Sequence, residues 1–143
     1  MTRFSIHGSI ELDIDERILL AEGAGPWNKE SISDSDSRLL PLLEELEGSP
    51  WGALVTLHGD PIYVPDAAAL LIKSIIEQKK QGRVATAVIV EDSNSPEFAK
   101  RHLSEIYDSA GEIFRFFPSK EEAKWWLVQR ITLAQNESPK SGY

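Results

Sequence analysis

Apolar and polar positions alternate along this chain in two rhythms, short period-two stretches and longer helical stripes. Between Phe4 and Asp13, Ile6, Ile10 and Leu12 stand among polar neighbours. Asp15-Glu16 then leads into Ile18-Leu19-Leu20-Ala21, and the two runs together predict a β-hairpin. The cluster Gly23-Ala24-Gly25-Pro26-Trp27-Asn28 breaks the pattern and places Asn28 to cap a helix. Leu39, Leu42, Leu43 and Leu46 recur at helical spacing. Pro41 among them predicts a helix start or a kink, with Ser31 to Ser37 as a solvated entry loop.

Gly48 and Pro50 close that helix, and Trp51 to Leu57 reads as a central strand. Asp66 is the expected N-cap of a helix with Ala68, Leu71, Ile72, Ile75 and Ile76 on one face and Gly82 at its end. The compact run Ala85 to Val90 suits a strand buried on both faces, hence a parallel sheet. Ser95-Pro96 opens a third helix, whose buried stripe is Phe98, Ala99, Leu103, Ile106 and Ala110. Ile113 to Phe117 is a last strand, Pro118-Ser119 breaks it, and Lys120 to about Gln135 is a final helix. The order β-β-α-β-α-β-α-β-α predicts a single α/β domain over residues 1–135, a mixed sheet with parallel crossovers, followed by a flexible tail, 136–143.

With 41% hydrophobic and 27% charged residues the chain has the composition of a folded domain rather than a disordered one. A formal net charge of −8 repels phosphate backbones, so no nucleic-acid partner is expected. The chain has no cysteine, which removes thiolate chemistry and fits a reducing, cytoplasmic setting. The N-terminal residues lack the apolar core of a signal peptide, and no apolar run is long enough for stable membrane insertion.

Three segments resemble a known family: Gly25-Pro26-Trp27-Asn28, the stretch from Trp51 through Leu57 to Asp66, and Phe116-Phe117-Pro118-Ser119-Lys120-Glu121-Glu122-Ala123-Lys124-Trp125-Trp126-Leu127. Together they look like the STAS domain, named for sulfate transporters and anti-sigma-factor antagonists, in its SpoIIAA-like bacterial branch. The resemblance spans the ordered chain and implies a STAS-like mixed sheet. In the antagonists it also implies a serine, at the start of the helix after the third strand, that a partner kinase phosphorylates. The matching stretch here is Asp66-Ala67-Ala68-Ala69, which has no hydroxyl, so that switch cannot operate at this place.

Sites of chemistry are sparse. Gly23-x-Gly25 lacks a third glycine and is followed by Pro26 and Trp27, so a structural turn is expected in place of a phosphate loop, with Trp27 plugging a core edge. An EF-hand loop starting at Asp34 would need glycine where Leu39 stands. His7, His58 and His102 are scattered without metal-ligand spacing, so no metal and no cofactor are expected, and His102 reads as a partly buried packing residue. An enzyme would need His58 with Asp60 or Asp66 in a cleft, without a paired nucleophile, so the chain is read as not an enzyme. In the last helix Ala123, Trp126, Leu127 and Ile131 form one stripe, leaving Trp125 and Val128 outward.

The expected ligand or partner surface is therefore apolar. Leu70 points away from the Ile72 and Ile75 stripe, and with Ile62, Tyr63 and Val64 before Asp66 it would make a groove; Trp125 is a second exposed anchor. Lys79, Lys80 and Arg83 form the one basic cluster, which suits a helix C-terminus or a local contact with lipid. The expected role is a non-catalytic binding or regulatory module for a protein partner. The alternative is binding of an apolar small molecule or lipid with transient membrane contact. Monomer and dimer are equally compatible with the sequence.

Overall fold

A computed structural model of the chain describes residues 9–137. The strands are β1 (Ser9–Asp15), β2 (Ile18–Ala24), β3 (Trp51–His58), β4 (Arg83–Glu91) and β5 (Phe114–Phe116), and the helices are α1 (Lys29–Leu46), α2 (Pro65–Lys80), α3 (Pro96–Ser109) and α4 (Lys120–Glu137). The sheet order is β1-β2-β3-β4-β5, antiparallel for the β1–β2 hairpin and parallel from β2 to β5. The expected element order and mixed sheet are therefore present. The hairpin expectation around Phe4 to Gly8 lies outside the described residues.

Sheet order decides the layers. Strands β2 to β5 advance in one direction without reversal, so right-handed crossovers put α1, α2 and α3 all on the same face. The larger core forms there, joining Ala53, Val55 and Leu57 to Ile32 of α1, Ala67 and Ile75 of α2, and Leu103 and Ile106 of α3. The alternate positions of the same strands, Leu54, Ala85, Ala87 and Ile89, face α4 through Ala123, Leu127 and Ile131. α4 comes so close that a Cβ on Gly52 would lie 2.9 Å from Leu127 Cδ2, so any larger residue there forces Leu127 to shift. Burying Leu127 and Ile131 contributes about 1.5–3 kcal/mol each.

Several boundaries differ from expectation. The Ser31–Ser37 stretch is the first half of α1 and not a loop. Asn28 caps it as expected, accepting from the Ser31 amide at 2.9 Å in a capping box, and Ile32 starts the buried stripe that Leu39 and Leu46 continue. Pro41 lies on the exposed side, where the Ser37 carbonyl it deprives of an amide partner meets water. α2 begins at Pro65 with Val64 as N-cap, so Asp66 is a first-turn acid and not the cap; proline at the first helical position has displaced the start. α4 runs to Glu137, past the expected end, so Asn136 and Glu137 belong to the helix and not to the tail.

Two apolar stripes also shift. Phe98 is 55% exposed and Ile76 is 39% exposed, whereas both were expected inside. Tyr107 takes the buried place on α3, and on α2 Ala67, Ile75 and Gln78 are buried while Ala68, Leu71 and Ile72, as expected, pack partly buried against the same core. In α4 the expected division holds: Ala123, Leu127 and Ile131 are buried, Trp126 is half-buried against Phe117, and Trp125 and Val128 are exposed.

Candidate functional site

Under the three-helix face lies a cavity of about 80 Å³, walled by β1–β3 residues such as Leu12, Ala21 and Val55 and closed by α1 and α2 through Leu39 and Ile75. Trp27 and Tyr63, from the loops at the strand ends, line its side. Trp27 is 2% exposed and stacks on Tyr63 with ring centroids 4.8 Å apart. Their backbones pair as well, the Trp27 amide donating to the Ile62 carbonyl at 2.9 Å. Gly25 leaves room for the indole, since a Cβ there would meet its ring at 2.8 Å. Trp27 therefore plugs the core as expected.

The cavity wall is apolar with a polar end. Tyr63 and Tyr107 both line it, and burial pushes the Tyr107 phenol up to about 12 and the Tyr63 phenol further in the same direction. Both stay protonated at any physiological pH, so each offers a neutral O–H. Asp36 of α1 also reaches the wall, and burial raises its carboxyl above the ordinary 3.8 although the Ser74 hydroxyl of α2 donates to it at 2.7 Å.

Arg83 completes the polar end but brings no uncommitted charge. Its Nε donates to Glu112 at 3.0 Å, Nη1 to Gln78 at 2.6 Å and Nη2 to Thr86 at 2.7 Å. Glu112, with its side chain fully buried, also takes Lys79 Nζ at 2.9 Å. This network dissolves the basic cluster read from the sequence. Arg83 is buried, Lys79 is committed to Glu112, and Lys80 alone is exposed, 3.3 Å from Glu77.

Outside the cavity, a surface groove of about 400 Å³ runs between α1 and α2, floored by Leu40, Leu43 and Leu70. Cavity and groove share Asp36, Leu39 and Gln78 on their linings, so the α1–α2 seam with its Asp36–Ser74 hydrogen bond is the partition between them. The residues expected to form one groove separate here. Leu70, expected to point away from the Ile72 and Ile75 stripe, instead packs half-buried against the same core and lines the α1–α2 groove; Tyr63 is buried against Trp27, and Ile62 lines a shallow pocket with Phe98. Val64 and Asp66 are exposed at the start of α2, and Trp125, 66% exposed, is on α4 across the sheet. None of the described pockets is lined by Leu70 together with Ile62, Tyr63 or Val64.

Chemistry-bearing side chains missed in the sequence were hidden within apolar stripes. Asp36 falls four residues after Ile32 and three before Leu39, Gln78 three after Ile75, and Tyr107 next to Ile106. Their positions on inward helix faces were the available signal.

On the opposite face, at the C-terminal ends of the parallel strands, His58 of β3 meets acids other than the two considered from the sequence. Its Nε2 is 2.6 Å from Glu22 Oε2, and Nδ1 is 3.5 Å from Glu91 Oε1 and 4.0 Å from Asp92 Oδ2. Glu22 also binds Lys120 at 3.0 Å, and the His58 hydrogen bond is the largest cause holding its carboxyl below the ordinary 4.5. Asp60 instead accepts from the Ser93 hydroxyl at 2.8 Å and the Asn94 amide at 2.9 Å, tying two loops. His102 packs as expected, stacked on Phe98 while its Nε2 accepts the Tyr63 amide at 3.1 Å. No protein-family model matches this chain, and no curated protein matches it. Among the described residues no helix is long and apolar enough to cross a membrane.

Proposed function

We propose that this chain is a non-catalytic binding module that holds a small, uncharged apolar molecule, bearing one hydroxyl or carbonyl, in the cavity behind the α1–α2 seam. The carrying observation is a partly open, apolar-walled cavity with two neutral phenols, Tyr63 and Tyr107, on its wall. Charge selects the class of ligand. Arg83 is already engaged by Glu112, Gln78 and Thr86, and Asp36 is held by the Ser74 hydroxyl, so no unengaged cation lines the cavity to pair an anionic ligand and the phenols are left to supply neutral hydrogen bonds.

Size selects the route. A cavity of about 80 Å³ is smaller than the roughly 150 Å³ that accommodates benzene. An aromatic ligand therefore occupies the cavity only with α1 and α2 parted, when cavity and the Leu40, Leu43 and Leu70 groove form one volume. The STAS-like reading of the fold agrees with a binding role in the cytoplasm. With the basic cluster consumed in the Glu112 network and a net charge of −8, a soluble ligand is favoured over an anionic membrane.

Native and denatured mass spectra of freshly purified protein test the reading, together with a fluorescence titration of small aromatic alcohols and ketones. The expected result is a retained mass or saturable quenching that Ala21→Leu, which fills the cavity, removes without unfolding the chain. Wild-type protein with no bound mass and no response to the panel would overturn it. A partner-protein reading is favoured by a different observation, the exposed Trp125, Val128 and Leu133 on the outer side of α4.

A further inference from the structure

We infer that the strand-end cluster on the α4 face is a divalent transition-metal site, with His58, Glu91 and Asp92 as ligands and Zn²⁺ as the ion whose chemistry they fit. The site is independent of the cavity, which lies on the other side of the sheet.

The topology builds it. His58 ends β3 and pairs in register with Glu91, the last residue of the adjacent parallel strand β4, so their side chains rise from the same face. Asp92 follows directly, and Nδ1 of His58 and one carboxylate oxygen from each acid all fall within 4.8 Å of one another. Donors bound to a tetrahedral Zn²⁺ at its usual bond lengths are about 3.4 Å apart. The His58–Glu91 separation of 3.5 Å already matches, and Asp92, whose side chain is 86% exposed, has room to close from 4.0 Å.

The second imidazole nitrogen distinguishes this cluster from an ordinary acidic patch. Metal-bound histidines commonly donate their other N–H to a carboxylate, which fixes tautomer and ring orientation. Glu22 Oε2, 2.6 Å from Nε2, occupies that place, and Lys120 holds the other oxygen of Glu22 at 3.0 Å. The frame is set by backbone too: the Gly59 amide donates to the Glu91 carbonyl at 2.8 Å, and Asp60 fastens Ser93 and Asn94. One imidazole and two carboxylates supply borderline and hard donors with two negative charges, suited to a divalent ion. Among the described residues the cluster supplies three ligands, and a tetrahedral ion takes a fourth donor.

Sequence spacing could not expose this set, because its members come from two strand ends and the outer carboxylate from a third strand. The test titrates ZnCl₂ into the full chain by calorimetry, alongside long-range ¹H–¹⁵N spectra of the histidine rings. Expected are one-to-one saturable binding and movement of the His58 Nδ1 resonance with Nε2–H retained. Glu91→Gln with Asp92→Asn should weaken binding at least ten-fold in a folded protein, and Glu22→Gln by about 10–100-fold through loss of orientation. Absence of saturable binding, shifts confined to His7 or His102, or undiminished affinity in the double variant would each overturn the assignment.

Discussion

Glu112 is the residue whose burial carries the greatest risk, since a fully buried carboxylate is tolerated only while cations and donors surround it. Arg83, Lys79 and the Thr86 hydroxyl supply them, and the guanidinium spans on to Gln78 of α2. Glu112→Ala leaves Arg83 buried without its counter-charge and should cost about 3–5 kcal/mol. Urea denaturation followed by far-UV circular dichroism checks this, and a loss below about 1 kcal/mol would mean that the network relaxes into water. Had the pair been replaced on both sides by apolar residues of similar volume, the change would be small, because desolvation offsets most of the attraction. The sequence marks Arg83 only as a cation near a helix end. Its burial follows from a partner 29 residues further along the chain, beyond any local pattern.

Among the elements, α1 depends on a side chain that its own sequence does not contain. Its last turn has no basic residue, and Arg17, in the β1–β2 turn, donates to the Leu46, Ser49 and Pro50 carbonyls. Arg17→Ala should destabilise the fold by about 1.5–3 kcal/mol, the range for hydrogen bonds to a charged group. The loss should appear in hydrogen exchange as faster opening of the α1 C-terminal turn; unchanged protection there would show that water replaces the guanidinium. The same comparison explains what was legible. Elements whose signal is local were read correctly, such as the apolar strand at Ala85 to Val90 and the cap at Asn28. The first half of α1 was not, because Ile32 is the lone apolar residue between Asn28 and Leu39 and the serines and aspartates there favour turns in isolation. The cavity and the strand-end cluster were largely illegible for the related reason that their walls are assembled by sheet register. The six surface residues chosen from the sequence do not share one surface: Tyr63 is buried, Trp125 lies across the sheet, and proximity along the chain did not make Leu70 a neighbour of Ile62 and Val64 in one groove.

For the whole molecule, pH acts on stability through two carboxylates with opposite signs. Glu22 is held below its ordinary value, chiefly by the His58 hydrogen bond, so its stabilisation is present above pH 4.5 and is lost as pH falls through the lower folded value. Asp36 is raised, chiefly by burial, so its contribution is complete below pH 3.8 and is lost as pH rises through the higher folded value. At neutral pH Asp36 is therefore a partly desolvated charge in the α1–α2 seam, held by Ser74 but favouring water. Asp36→Asn keeps an oxygen for the Ser74 hydroxyl and removes the charge. The variant should match the wild type in urea denaturation at about pH 3.5 and exceed it at pH 7, the difference opening as pH rises past the ordinary aspartate range. A variant equally or less stable at pH 7 would show that the ionised carboxylate is well solvated in the fold. The same charge bears on uptake into the cavity, because parting α1 from α2 rehydrates it. Neutralising Asp36 tightens the closed seam, so ligand entry followed by stopped-flow fluorescence should slow in Asp36→Asn at pH 7, and the difference should shrink as pH falls through the raised carboxyl value and Asp36 loses its charge.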